Sequence, residues 1–431
     1  MNATTGGTNW AGNVRYTARH VHRPETIDEL RRVVADATKV RAIGTGHSFN
    51  LIADASPDGP GDLVSLAGLP QVIDIDSATR TVTVGGAVRY GDLAIALHAA
   101  GYAVHNLASL PHISVAGAVA TGTHGSGTGN LATAVTAIEM VTAGGDLRTL
   151  RRDTDGDAFA AAVVGLGALG VVTRLTLRIE PAYEVAQWVY EGMPWERLLA
   201  NVDDVFASAY SVSVLTRWDV PRVDYVWRKH RLDTTRAPIG ENVTDTWLDA
   251  TLATVERHPV VGLPPEPCTP QQGVPGPWHE RLPHFRLDFT PSVGAEVQSE
   301  FLVAFDHARA AIAAMREIGE HLTPLLRVSE LRSVSADDLW LSSGYRRDSL
   351  GIHFTWADNV PGVVAVLPVV QAALAPFAPR PHWGKLFTIA PEPVAAAYPR
   401  IDDFGELRSR LDPDAKFGNA FVDRYAPAAG H

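Results

Sequence analysis

Glycine concentrates in one stretch of the chain, between Gly44 and Gly170. Glycine alone tolerates close backbone approach and left-handed dihedrals freely, so this clustering constrains the fold strongly. The run Gly165-Leu166-Gly167-Ala168-Leu169-Gly170 has the spacing of a dinucleotide fingerprint. That fingerprint needs a strand before it and a helix after it, so that helix N-terminal amides face a pyrophosphate. Here an alanine-rich helical stretch precedes the glycines and the strand Val171 to Ile179 follows. The match reads as a helix-to-strand turn, and a Rossmann assignment is rejected.

Two other segments carry more. Arg41 to Asn50, with Gly44-Thr45-Gly46-His47-Ser48 at its centre, leaves a strand and enters small residues with exposed amides. Ser109 to Gly127 is longer and holds no acidic residue. Glycine backbone with Ser and Thr hydroxyls can form a nest for a diphosphate. Read singly, each segment fits a tight loop equally well.

The surrounding grammar is α+β. Thr26-Ile27-Asp28-Glu29 is a capping box ahead of a helical face through Leu30, Val33, Val34 and Ala37. Gly91 to Ala100 reads as a second helix stopped by Gly101. Hairpin alternation marks Val72–Asp76 with Thr81–Val84, and Ile138–Thr142 with Leu147–Leu150. Around Pro181 the texture changes, and eight of the ten tryptophans fall between Trp188 and Trp356, as an aromatic core requires. Nine prolines in residues 259 to 293 predict an ordered covering loop with little regular structure.

With 431 residues and 46 % hydrophobic residues, the chain can bury a sizeable core. Its net charge of −11 argues against nucleic-acid binding, which needs clustered cations. The single cysteine, Cys268, excludes a disulfide scaffold and fits a reducing compartment. The first thirty residues hold no apolar run, and the apolar stretch Val363 to Val370 is short and broken by Pro368. The expectation is a cytoplasmic monomer with no membrane partner. His20 with His22, and His105 with His112, match no standard metal spacing, so no metal is expected.

Together the two glycine-rich loops resemble the phosphate-gripping loops of the vanillyl-alcohol oxidase flavoprotein family, which binds FAD without a Rossmann fingerprint. The resemblance extends, in its alditol oxidase branch, over Thr8 to Asn13, Val274 to Phe285, His353 to Trp356 and Arg380 to Lys385. It implies a two-domain FAD-binding fold of that type. Residues 1–181 and 377–431 would form the FAD-binding domain, and 182–376 an α+β substrate-binding cap. It also implies a flavin attached through His47. Flavin contacts carry over as Thr45, Gly46, His47, Ser48, Ser109, Ser114, Gly117, Thr121, Gly122, Thr123, His124 and Val172.

The activity implied is oxidation of the terminal hydroxyl of an alditol such as xylitol or sorbitol. Dioxygen would be reduced to hydrogen peroxide. The alternative is an aldonolactone oxidase or dehydrogenase on the same fold. Ala108 stands where related enzymes use a small residue to control oxygen access.

In Val328 to Arg332, Glu330 and Arg332 share one strand face, and His353 and Thr355 share another in Gly351 to Trp356. By spacing alone, Glu330 and Arg332 also fit a solvated ion pair. By resemblance, Ser109, Glu330, Arg332, Thr355 and Lys385 bind the polyol, and His353 with Lys385 assists loss of the hydroxyl proton. Either of the two could be the base.

Overall fold

The computed structural model describes residues 7–55, 61–232, 243–289 and 296–430. The helix Ile27–Asp36 forms where the capping signal lies, with Thr26 Oγ1 accepting from Glu29 N at 3.2 Å. The reciprocal bond shifts by one residue, because Glu29 Oε2 accepts from Glu25 N instead of Thr26 N. Leu30 and Val34 bury this helix against Val40 and Val64 of a three-stranded parallel sheet. That sheet comprises Val21–His22, Asp62–Ser65 and Val40–Ile43.

A five-stranded antiparallel sheet follows, in the order Ile73–Asp76, Thr81–Gly85, Val171–Arg178, Val135–Val141, Leu147–Arg151. Both expected hairpins are present; Arg80 at φ 52° and Gly145 at φ 82° make their turns. The glycine run after the helix Gly156–Val163 is the turn into Val171–Arg178. A Cβ on Gly170, where φ is 159°, would lie 2.7 Å from the Val141 carbonyl oxygen.

From Glu184 onward the chain builds a ten-stranded sheet that ends on the pair Arg380–Pro381. Its central strands are Ser211–Thr216, Leu326–Val334, Ser349–Ala357 and Glu296–Ala304, all antiparallel. Phe301, Leu331, Ile352 and Phe354 form one face and join the main core with the helices Ala308–Glu317 and Val360–Leu374.

The apolar run near Pro368 is longer than the sequence reading had it. Val360–Phe377 is uncharged and, by length and composition alone, apolar enough to cross a membrane. Pro368 sits inside the helix instead of breaking it. An interior proline costs about 3 kcal/mol. Burial of Val363, Val366, Leu367, Val370 and Leu374 offsets that, at roughly 1.5–3 kcal/mol per side chain.

The proline-rich segment carries little regular structure, a two-residue pairing at Gly276–Pro277 and a short turn at Trp278–Glu280. Its residues 290–293 lie outside the described residues. The tail returns to the first region. Asn419 donates to the carbonyls of Leu51, Ile52 and Asp54, and Lys416 Nζ to those of Val34, Ala35 and Ala143.

Candidate functional site

One cavity of about 470 Å³ runs from the glycine loops to the polar face of the large sheet. At its first end Gly44 and Gly117 both face Ser114. A Cβ on Gly44 would fall 2.3 Å from Ser114 Oγ, and one on Gly117 2.8 Å from it. Thr45 Oγ1 accepts from Ser114 N at 3.2 Å, tying the two loops together. Thr121 and Thr123 share a hydroxyl contact of 3.2 Å. Thr45, Gly46, His47, Ser48, Ser109, Ser114, Gly117, Thr121, Thr123, His124 and Val172 all line the cavity. Gly122 does not; at φ 66° it turns the chain, and a Cβ there would face Val164.

His47 stacks on Trp10, with ring centroids 5.1 Å apart and planes 21° apart. Its Nδ1 lies 3.0 Å from Thr45 Oγ1, and its buried Nε2 has no hydrogen-bond partner. Burial, with Lys385 and His112 nearby, lowers its pKa to about 4, so the ring is neutral with a free lone pair. A small-residue cradle ending on an orphaned imidazole nitrogen fits a flavin dinucleotide well. FAD could be held by Thr45, Ser114, Thr121 and Thr123 on one side and His47 at the ring end.

The other end is written in strand register. Glu300 and Glu330 both pair with His353, while Gln298 and Val328 pair with Thr355. Arg332 pairs with Gly351. Period-two alternation places all these positions on one face. Glu300 is the hub, though sequence reasoning missed it. Its Oε1 accepts from Arg332 Nη2 at 2.8 Å, and its Oε2 lies 3.4 Å from His353 Nδ1. His124 Nε2 is 3.2 Å from Glu300 Oε1 but out of hydrogen-bond line.

Burial alone would raise both carboxyl pKa values, yet the Arg332 guanidinium and the imidazoles beside them win. Arg332 and His124 hold Glu300 well below the carboxylate range, and Arg332 with His284 does the same for Glu330. Burial lowers His353 against the pull of Glu300. Lys385 is lowered to about 8 by burial, with Glu300 opposing. Its Nζ donates to Gln298 Oε1 and sits 4.8 Å above the Phe49 ring.

The structure therefore brings Ser109, Glu330, Arg332, His353, Thr355 and Lys385 to one cavity. Glu330 and Arg332 are buried, so the solvated-pair alternative fails. Three further residues were missed: Gln298, His284 and Lys229. Glu296, Gln298 and Glu300 alternate along one strand that runs on into the apolar Phe301–Ala304, which was a usable signal, since an unpaired buried carboxylate is rare. The proline-rich segment closes the cavity through Pro259, Val260, Leu263 and Phe285, and Ala108 also lines it.

The two histidine pairs differ: His20 and His22 gather with Asp62 so that their ligand atoms lie within 4.8 Å of one another, close enough to hold a metal ion. His20 Nδ1 and His22 Nε2 lie 3.2 and 3.1 Å from the Asp62 carboxylate, which Arg19 also contacts at 3.3 Å. His105 and His112 bond separate carbonyls, of Gly129 and Leu287.

Comparison with known proteins agrees with this geometry. Residues 18–151 match the FAD binding domain family and residues 295–425 the D-arabinono-1,4-lactone oxidase family. A Streptomyces alditol oxidase is 49 % identical over 97 % of this chain and 98 % of its own. An L-gulono-1,4-lactone dehydrogenase of Mycobacterium tuberculosis is 28 % identical over 96 % and 98 %. Cholesterol oxidase from B. sterolicum shares the fold, with a TM-score of 0.77 at 15 % identity over 98 % of this chain and 97 % of that one. Near-complete coverage at close to half identity leaves little room for another assignment: the chain belongs to the alditol oxidase family, within the vanillyl-alcohol oxidase type of flavoprotein.

Proposed function

We infer that the protein oxidises the terminal hydroxyl of an alditol, such as xylitol or sorbitol, to the aldose. The observation that carries this is the meeting, in one cavity, of the glycine-walled cradle with the Glu330, Arg332, His353, Thr355 and Lys385 face. When bound, FAD supplies the hydride acceptor and passes the electrons on to dioxygen, giving hydrogen peroxide.

The chain's own residues position the polyol and move its proton. The Glu330 carboxylate accepts from one hydroxyl while the Arg332 guanidinium donates to a neighbour, which suits the donor-acceptor pattern of adjacent hydroxyls. Ser109 and Thr355 flank them with adaptable hydroxyls. His353 turns Nδ1–H to Glu300, so its Nε2 is the acceptor for the substrate hydroxyl proton, beside Thr355 Oγ1 at 3.4 Å. Burial keeps this ring neutral and ready to accept. The Lys385 ammonium donates to the same oxygen as it gains negative charge.

We take His47 as the point of covalent flavin attachment, through the lone pair that burial keeps unprotonated. The cap is read as residues 182–376 between the two parts of the FAD-binding domain. The same reading has the protein working as a cytoplasmic monomer on a neutral polyol. Cys268, buried and with its thiol pushed up to about 12 by burial, is inert in that setting.

A second reading has a specific observation behind it: the lactone oxidase family match spans the strands Glu296–Ala304, Leu326–Val334 and Ser349–Ala357. Peroxide yield with xylitol, measured beside an aldonolactone, separates the two. Peroxide from xylitol supports alditol oxidation; turnover of the lactone alone contradicts it.

A further inference from the structure

We propose that Lys229 and His284 are positioning residues for Glu330, fixing which carboxylate oxygen is held by the protein and which is left for a substrate hydroxyl. This rests on the reading of Glu330 as a polyol ligand.

Lys229 lies two residues beyond Trp227 in the strand Arg222–Arg231, on the side of the sheet that carries Leu215 and Glu330. A lysine is among the least often buried residues, yet this one is 1 % exposed. Its Nζ meets three acceptors: Leu282 O at 2.6 Å, Pro283 O at 3.0 Å and His284 Nδ1 at 3.1 Å. Burial lowers its pKa to about 7 with Glu330 opposing, and in the protonated form its three N–H groups match these three acceptors.

One consequence is chemical. The Glu330 carboxylate can only accept, so the proton of the neutral His284 ring sits on Nε2, and Nδ1 is left to accept from Lys229 Nζ. Nε2–H donates to Glu330 Oε1 at 2.8 Å. Among the described residues, Glu330 Oε2 takes no hydrogen bond, and the residue lines the cavity. The T-shaped contact of His284 with Trp227, centroids 4.8 Å apart, holds the ring plane.

The other consequence is positional. His284 N donates to Ser109 O at 3.1 Å, so the same residue steadies a second substrate-facing segment. A lysine placed merely to brace the loop would need the two carbonyls and no imidazole.

Steady-state kinetics with xylitol on four flavin-loaded variants tests this. His284→Leu and Lys229→Met should raise KM about tenfold or more while kcat changes less than about threefold, the signature of lost ground-state binding. His284→Gln should restore KM to within about threefold, because its amide can accept from Lys229 and donate to Glu330. Glu330→Gln should raise KM at least as much. A normal KM in His284→Leu, or no rescue by Gln, overturns the proposal while sparing Glu330. A normal KM in Glu330→Gln overturns the Glu330 reading and this inference with it.

Should the leucine and methionine variants not fold, 15N-histidine spectra of the unaltered holoenzyme decide. The signal that disappears in His284→Gln should show a neutral ring protonated at Nε2. A proton on Nδ1 contradicts the proposal.

Discussion

His353 places Nδ1 3.4 Å from Glu300 Oε2, and this contact decides which ring nitrogen faces the cavity. A carboxylate accepts only, so Nδ1 carries the proton and Nε2 keeps its lone pair. The same carboxylate pairs with Arg332 at 2.8 Å, so one buried charge orients both the base and the guanidinium.

Glu300→Gln should therefore act on chemistry and stability together. It leaves Arg332 with a weaker partner and lets His353 rotate or change tautomer. Breaking a buried pair costs about 3–5 kcal/mol, and losing an oriented base about 10²-fold in rate. Anaerobic stopped-flow reduction and urea unfolding measure the two. A variant of normal rate would remove Glu300 from the account.

The pH dependence follows from two lowered groups. His353 lies below its usual 6.5, so its neutral, accepting form persists at pH 6.5 and is lost only as pH falls further. Lys385 titrates near 8, so its ammonium is present below that and lost above. The kcat/KM profile should be level between pH 6.5 and about 8 and fall on the alkaline side. In Lys385→Met the plateau should drop and the alkaline fall should vanish. An unchanged alkaline limb in that variant would assign it to another group.

Much of this was legible in the sequence, for local reasons. Glu330 with Arg332, and His353 with Thr355, alternate within single strands, and period two alone puts each pair on one face. The decoy run at Gly165–Gly170 was rejected from the order of its neighbours, and the structure has that order. Glu300, His284 and Lys229 were missed because their meaning comes from pairing across strands and from a loop folding back. Glu300 sits 30 residues before Glu330 and becomes its neighbour only because Ser349–Ala357 lies between the two strands. Pro368 misled in the other direction, since tertiary burial overrode its helix-breaking tendency.

Arg41 tests how the tail closes the flavin region. Its buried guanidinium donates to the carbonyls of Gly167, Phe417 and Leu166, at 2.7–2.8 Å, and to Ile52 at 2.5 Å. Arg41→Ala orphans several of these, at about 1–3 kcal/mol for each group left unsatisfied. The expected outcome is a loss of several kcal/mol in urea unfolding with reduced FAD content. Wild-type stability would show that water replaces the guanidinium.

His47→Ala should yield protein whose flavin is released by denaturation, seen as a dark band on a denaturing gel viewed for flavin fluorescence. The unaltered protein should give a fluorescent band. A fluorescent band from the alanine variant would move the attachment to another residue.

Anaerobic addition of xylitol, sorbitol and an aldonolactone to the holoenzyme tests the central claim most directly. The account predicts that the polyols bleach the oxidised-flavin absorbance and that admitting air restores it with formation of peroxide. Absorbance unchanged by either polyol, or bleached by the lactone alone, would contradict it.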